Sequence, residues 1–153
     1  METTSISVGE LLYEAFVHFT NVTEYGISMN DLLAGTVVPP PAGVRFDVAF
    51  QGSFQGPRVS GTIIGIDYIH VRADGRFQLH IHAQLTTEDG ENISFFADGI
   101  AIPEQGGAVV QLRENISFLT SSPAYVWLNQ VQGWGQGTVD LKKGEVRVKA
   151  YTA

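Results

Sequence analysis

The sequence predicts an all-β fold: a single antiparallel meander β-barrel of about eight strands, with one short helix near residues 123–129. Three observations predict it. Apolar and polar residues alternate with period two along most of the chain, the spacing of residues that share one face of a strand. Turn signals, among them Asp74-Gly75, Asp89-Gly90, Gly106-Gly107 and Lys142-Lys143-Gly144, cut this pattern at short intervals. Glycines such as Gly61 and Gly65 also fall inside long β-branched runs, where a sheet bends or bulges so that it can close. Seven to nine consecutive antiparallel strands with little helix form a barrel or a sandwich, and the strand lengths and in-strand glycines favour the barrel. At 153 residues the chain is expected to form one domain, 1–153.

The first strand spans Leu11 to Glu24 and is mixed, with Phe16 and Val22 in step with His18 and Thr20, and Val17 and Phe19 opposite with Asn21. The Pro39-Pro40-Pro41-Ala42-Gly43 segment ends any regular structure, because proline lacks an amide donor and restricts its predecessor. A loop, a candidate lid, is therefore expected at 30–43. Val44, Phe46, Val48 and Phe50 alternate with Arg45, Asp47 and Ala49 in a half-buried strand ending at Gly52. The remaining strands are Arg58 to Arg72, 76–87, Asn92 to Ile102, Ala108 to Phe118, Val139 to Leu141 and Glu145 to Tyr151. Ser122-Pro123 supplies an N-cap side chain and a first-turn proline, so one or two helical turns are expected over Ala124 to Asn129.

Composition excludes several classes of function. Lys+Arg number 9 and Asp+Glu 16, a net charge of −7, which repels phosphate backbones and anionic lipid. Nucleic acid and membrane are not expected partners, and no run approaches the ~18 consecutive apolar residues of a spanning helix. The N-terminus has neither a basic start nor an apolar stretch with a cleavage site, so a cytoplasmic location is expected. There is no cysteine, which removes disulfides, thiol nucleophiles and thiolate metal sites.

An eight-stranded barrel is just wide enough inside to be filled by side chains or to hold one small ligand. Candidate site residues follow from strand faces. Asp67 falls in step with Ile63, Gly65, Ile69 and Val71, so its carboxyl sits on an apolar face, where burial raises its pKa and suits it to acid/base work. The alternative is a bulge at Gly65 that turns it outward, or pairing with Arg58 or Arg72. His80 and His82 share one face of the 76–87 strand with Arg76, Gln78 and Gln84. They suit metal-free acid/base catalysis, or else face solvent or hydrogen-bond within a pocket. Such a pair can also donate two imidazoles to one metal, but a functional site needs at least a third ligand, for which His70, His18, Asp67 and Glu88 are available, and no metal site is expected. Tyr68 and Arg72 share the face opposite Asp67. Tyr125, Trp127, Asn129 and Trp134 offer aromatic surface and an amide to contact a ligand at the barrel mouth, or else simply plug the core.

Several blocks carry a resemblance. Gly52-Ser53-Phe54-Gln55-Gly56-Pro57-Arg58-Val59-Ser60-Gly61, Asp67-Tyr68, Arg72-Ala73-Asp74-Gly75, Thr87-Glu88-Asp89-Gly90 and Tyr125-Val126-Trp127-Leu128-Asn129 resemble, in order, the signature blocks of the domain of unknown function 3237 family. The resemblance runs from about Phe16 to the C-terminus. It implies a calycin-like (lipocalin-like) antiparallel barrel, often associated as a homodimer, and brings no established reaction. Where that family has an aspartate and an arginine, this chain has His80 and His82.

Together these readings point to a barrel holding a small apolar organic ligand. The expected activity is a cofactor-independent lyase, isomerase or cyclase, with Asp67, His80 and His82 catalytic and Tyr68, Arg72, Tyr125, Trp127, Asn129 and Trp134 binding. Such reactions proceed through shape and proton transfer with no redox group. The alternatives are a non-catalytic carrier or sensor of an apolar ligand and a structural dimer with a filled barrel.

Overall fold

Alternation of buried and exposed side chains along most strands gives the sheet one apolar face, and pairing of the last strand with the first encloses it. In the computed structural model, which describes residues 9–103 and 108–153, eight strands form a closed antiparallel barrel in sequential order. They are β1 (Leu11–Glu24), β2 (Val44–Gln55), β3 (Ser60–Val71), β4 (Phe77–Thr87), β5 (Asn92–Pro103), β6 (Val109–Leu119), β7 (Gly133–Asp140) and β8 (Glu145–Thr152). Each pairs with its neighbour in sequence, and β8 closes on β1 from Leu11↔Tyr151 to His18↔Glu145. Closure removes both sheet edges, so the long strands offer no template for edge-to-edge association. The Gly106-Gly107 turn and the N-terminal reading fall outside the described residues.

The interior takes the apolar member of each alternation. Phe46, Val48 and Phe50 of β2, Leu79, Ile81 and Leu85 of β4, and Ile116 of β6 are all buried. Burying side chains of this size contributes about 1.5–3 kcal/mol each. Strand β1 departs from simple alternation because its register shifts between Phe19 and Asn21. This bulge puts Val22 against the core together with Val17 and Phe19, whereas Phe16, expected to share a face with Val22, is 38% exposed. One extra residue exchanges the faces of everything beyond it.

The two ends of the barrel are closed differently. At one end the β1–β2 connection is not simply a loop: it contains a helix, α1 (Met29–Ala34). Ser28 caps it by accepting from the Asp31 N–H at 3.0 Å, and Gly35, at φ 74°, ends it in a left-handed conformation. Met29 is buried, and Leu32 and Leu33 pack against the core. At the other end the expected helix is a 3-10 turn, Val126–Gln130, that begins later than the Ser122-Pro123 signal implies. Ser122 provides a backbone turn instead of a side-chain cap, its carbonyl accepting from the Tyr125 N–H at 2.9 Å. Leu128 plugs this end at 1% exposure.

Candidate active site

Asp67 lies mid-strand in β3, flanked on its own face by Ile63 and Ile69, and points into the barrel. Neither arginine considered as a partner reaches it: Arg58 contacts Glu10 at 3.3 Å and Arg72 contacts Asp74 at 2.9 Å. Among the described residues its one hydrogen bond comes from the backbone N–H of His80 to Oδ1 at 3.0 Å. Burial pushes the carboxyl up to about 7, against the lowering effect of that bond.

A second carboxyl shares the same cavity. Strand β6 runs Val110, Leu112, Glu114, Ile116, Phe118 along its inner face, so Glu114 stands in the middle of an apolar series and is 4% exposed. No hydrogen bond from the described residues reaches its carboxyl. Burial, then repulsion from Asp67, pushes it up to about 8. Its two cross-strand neighbours are Gly99 and Gly135. A Cβ at position 135 would lie 2.7 Å from Glu114 Cγ and 3.0 Å from Oε1, so this glycine makes the space the side chain occupies. Tyr13 of β1 is the third polar group of the interior; burial, then the Glu114 charge, raises its phenol well above the ordinary value. It packs edge-on against Phe54, ring centroids 5.6 Å apart.

The cavity between these groups has a volume of about 70 Å3, and apart from Asp67, Glu114 and the Tyr13 hydroxyl its walls are hydrocarbon, including Phe50, Leu79, Phe95 and Leu112. Phe77, Val110 and Leu141 line this cavity and also a separate groove of about 250 Å3 beneath Leu32, Leu33 and Val37 at the α1 end. A mostly apolar cavity holding two carboxyls raised toward and above neutrality can give a proton to one atom of a bound molecule and take one from another.

The other expected site residues lie elsewhere. His80 and His82 are exposed on the outer face of β4, because the Phe77, Leu79, Ile81 face takes the interior. Tyr68 is also on the outside, its ring 5.4 Å from the Arg45 guanidinium carbon. Arg72 closes the β3–β4 hairpin through Asp74. The Tyr125 hydroxyl donates to Asp89 at 2.8 Å, and Trp127 lies under the Arg58 guanidinium at 3.7 Å. Asn129 spends its amide on the backbone of Thr120, donating to its carbonyl and accepting from its N–H, each at 2.8 Å. Trp134 is on the outer face of β7, 36% exposed. Of the expected residues the structure brings only Asp67 to the cavity. Glu114 carries the same signal as Asp67, a carboxylate inside an apolar period-two series, and is legible by the same rule.

Among solved structures, the barrel is similar to a beta-barrel-like protein from Acinetobacter baumannii AYE, with a TM-score of 0.76, 26% identity and coverage of 99% of this chain and 98% of that one. It also shares its fold with an enzyme from Penicillium herquei, with a TM-score of 0.64, 22% identity and 99% coverage of both chains. In sequence it is 36% identical over 85 residues to the hydroalkoxylation enzyme phnH of Penicillium herquei, a match covering 55% of this chain and 50% of that protein. The chain thus matches half the length of this curated relative. The family model described as "protein of unknown function (DUF3237)" matches residues 38–153, and the chain belongs to that family.

Proposed function

We propose that the protein is a cofactor-independent enzyme of lyase, isomerase or cyclase type that moves a proton within a small apolar organic substrate, using Asp67 and Glu114 as its acid/base pair. The observation that carries this reading is the placing of two carboxyls in one apolar cavity, raised to about 7 and about 8. Near neutral pH such a pair holds between one and two protons, because ionising the first opposes ionising the second. Glu114, the weaker acid, is the proton donor, and Asp67, held by the His80 N–H, is the acceptor. A carrier gains nothing from two buried carboxyls without ionic partners, which cost stability; a proton-transfer enzyme needs them.

Hydroalkoxylation, the activity named for the relative, is the addition of an O–H across a C=C bond. In this cavity one carboxylate would take the hydroxyl proton while one carboxylic acid protonates the alkene carbon, leaving the proton count of the pair unchanged. The cavity accommodates only the reacting end of a molecule, since whole-ligand pockets span roughly 300–1,000 Å3. The remainder of the substrate would lie in the groove beneath α1, which makes α1 and its connection the expected lid.

The test is a panel of 2-alkenylphenols incubated with the protein in D2O, with ring closure and deuterium incorporation followed by NMR. Cyclised product carrying one deuterium on the protonated carbon, lost in Asp67→Asn and Glu114→Gln, is the expected result. Turnover unaffected by both substitutions, or retention of panel members without conversion, would sink the assignment, the latter in favour of a carrier.

A further inference from the structure

The outer face of β4 carries an arrangement that the interior chemistry does not use. His80 and His82 are two residues apart on one strand, and the pleat sends both imidazoles to the same side, with Nε2 of one 3.1 Å from Nε2 of the other. Both rings are exposed to solvent. They are also braced. The Phe96 ring meets His80 at 5.4 Å and His82 at 5.3 Å, both nearly edge-on, and Tyr68 stands 6.4 Å and 6.2 Å from the two rings on the other side.

We propose that His80 and His82 form a two-imidazole chelate for a divalent transition-metal ion, with Cu2+ preferred over Ni2+ and Zn2+. Imidazole nitrogens bind such ions at about 2.0–2.1 Å, so two nitrogens 3.1 Å apart subtend about 98° at the ion, the angle between adjacent positions of a tetragonal site. The spacing therefore matches two adjacent ligand positions once both rings rotate to aim their Nε2 lone pairs at the ion, and the aromatic walls reduce the rotamer freedom lost on binding. In the absence of metal the same short approach is an imidazole-to-imidazole hydrogen bond, one Nε2–H donating to the other Nε2. Binding requires the donor ring to carry its proton on Nδ1 instead of Nε2, with no net proton lost, and turns both Nε2 lone pairs toward the ion. No third His, Cys, Asp or Glu completes a cluster among the described residues, so the third ligand a functional centre needs is not supplied by these residues and the remaining positions take water or a small exogenous ligand; the site is a binding chelate, not a catalytic centre. This site stands on the face of β4 opposite the cavity and is independent of the proposed acid/base pair.

Cu2+ alone, titrated into tag-free full-length protein and followed by calorimetry and EPR, tests the proposal. One Cu2+ per chain with superhyperfine coupling to two imidazole nitrogens is expected. His80→Gln and His82→Gln should each weaken binding at least tenfold, while a His18→Gln/His70→Gln variant binds as the parent does. His18, His80 and His82 are solvent-exposed and His70 is half-buried, and circular dichroism of each variant confirms that the barrel is retained. Parent affinity no greater than that of the His80→Gln/His82→Gln double variant, or coupling to a single nitrogen, would overturn it, because the 3.1 Å approach would then be a hydrogen bond that copper does not displace.

Discussion

Replacing Glu114 by Gln keeps the shape of the side chain and removes only its ionisation, so the variant isolates the cost of a charge in the cavity. In the fold the Glu114 carboxyl is raised from 4.5 to about 8, with burial as the first cause and Asp67 as the second. A raised acid holds its proton better in the folded chain than in the unfolded one. Its contribution to stability is therefore fully present below about pH 4.5 and is lost as pH rises through about 8. The difference of about 3.5 units corresponds to about 5 kcal/mol, accumulating at about 1.4 kcal/mol per pH unit. The Gln variant pays none of this. Urea unfolding followed by tryptophan fluorescence at intervals from pH 5 to 9 should show its stability diverging upward from the parent's, the gap widening by about 4–5 kcal/mol across the range. The other carboxylates titrate in both proteins and largely cancel in the difference. Parallel stability curves would mean that Glu114 ionises in the fold as it does in water, and the buried two-carboxyl cavity would be wrong.

Other outcomes follow from the same geometry. Gly135→Ala places a methyl where Glu114 Cγ and Oε1 lie, and calorimetry should find it destabilised by about 1–3 kcal/mol, with turnover falling alongside. Asn129→Ala removes both bonds to the Thr120 backbone and should lower stability by about 1–3 kcal/mol in urea without altering kcat, because the 3-10 turn closes the end of the barrel away from the lid. Leu33→Trp fills the groove beneath α1 and should raise KM several-fold while leaving kcat nearly unchanged, as measured in steady-state kinetics on any substrate found in the alkenylphenol panel.

Much of the barrel can be read along the chain, because a strand's period-two code is local. Asp67 shows how far that code extends: its apolar companions Ile63 and Ile69 are enough to place it inside, and burial does the rest. The helix α1 was harder to see. It is six residues long and sits beside a triple proline, where its Ser28 cap and Gly35 stop look like ordinary loop composition. The bulge after Phe19 is likewise silent in sequence, since it changes the face of Val22 without any proline or glycine to mark it.

What the sequence determined by itself is the alternation that makes eight strands, the turns that join them, and the presence of a carboxylate within an apolar series. The tertiary structure decided which groups share a space. Glu114 and Asp67 are three strands and 47 residues apart, and only closure of the barrel turns two isolated inward acids into a pair whose charges repel. Closure also sets the polar face of β4 outward, so that His80 and His82 meet each other, not the cavity. At the end closed by the 3-10 turn Tyr125 and Trp127 find long-range partners in Asp89 and Arg58, and Asn129 a nearer one in Thr120. A periodic pattern records which side of a strand is dry, whereas the distance between two side chains depends on every strand between them and on the register at which the sheet closes.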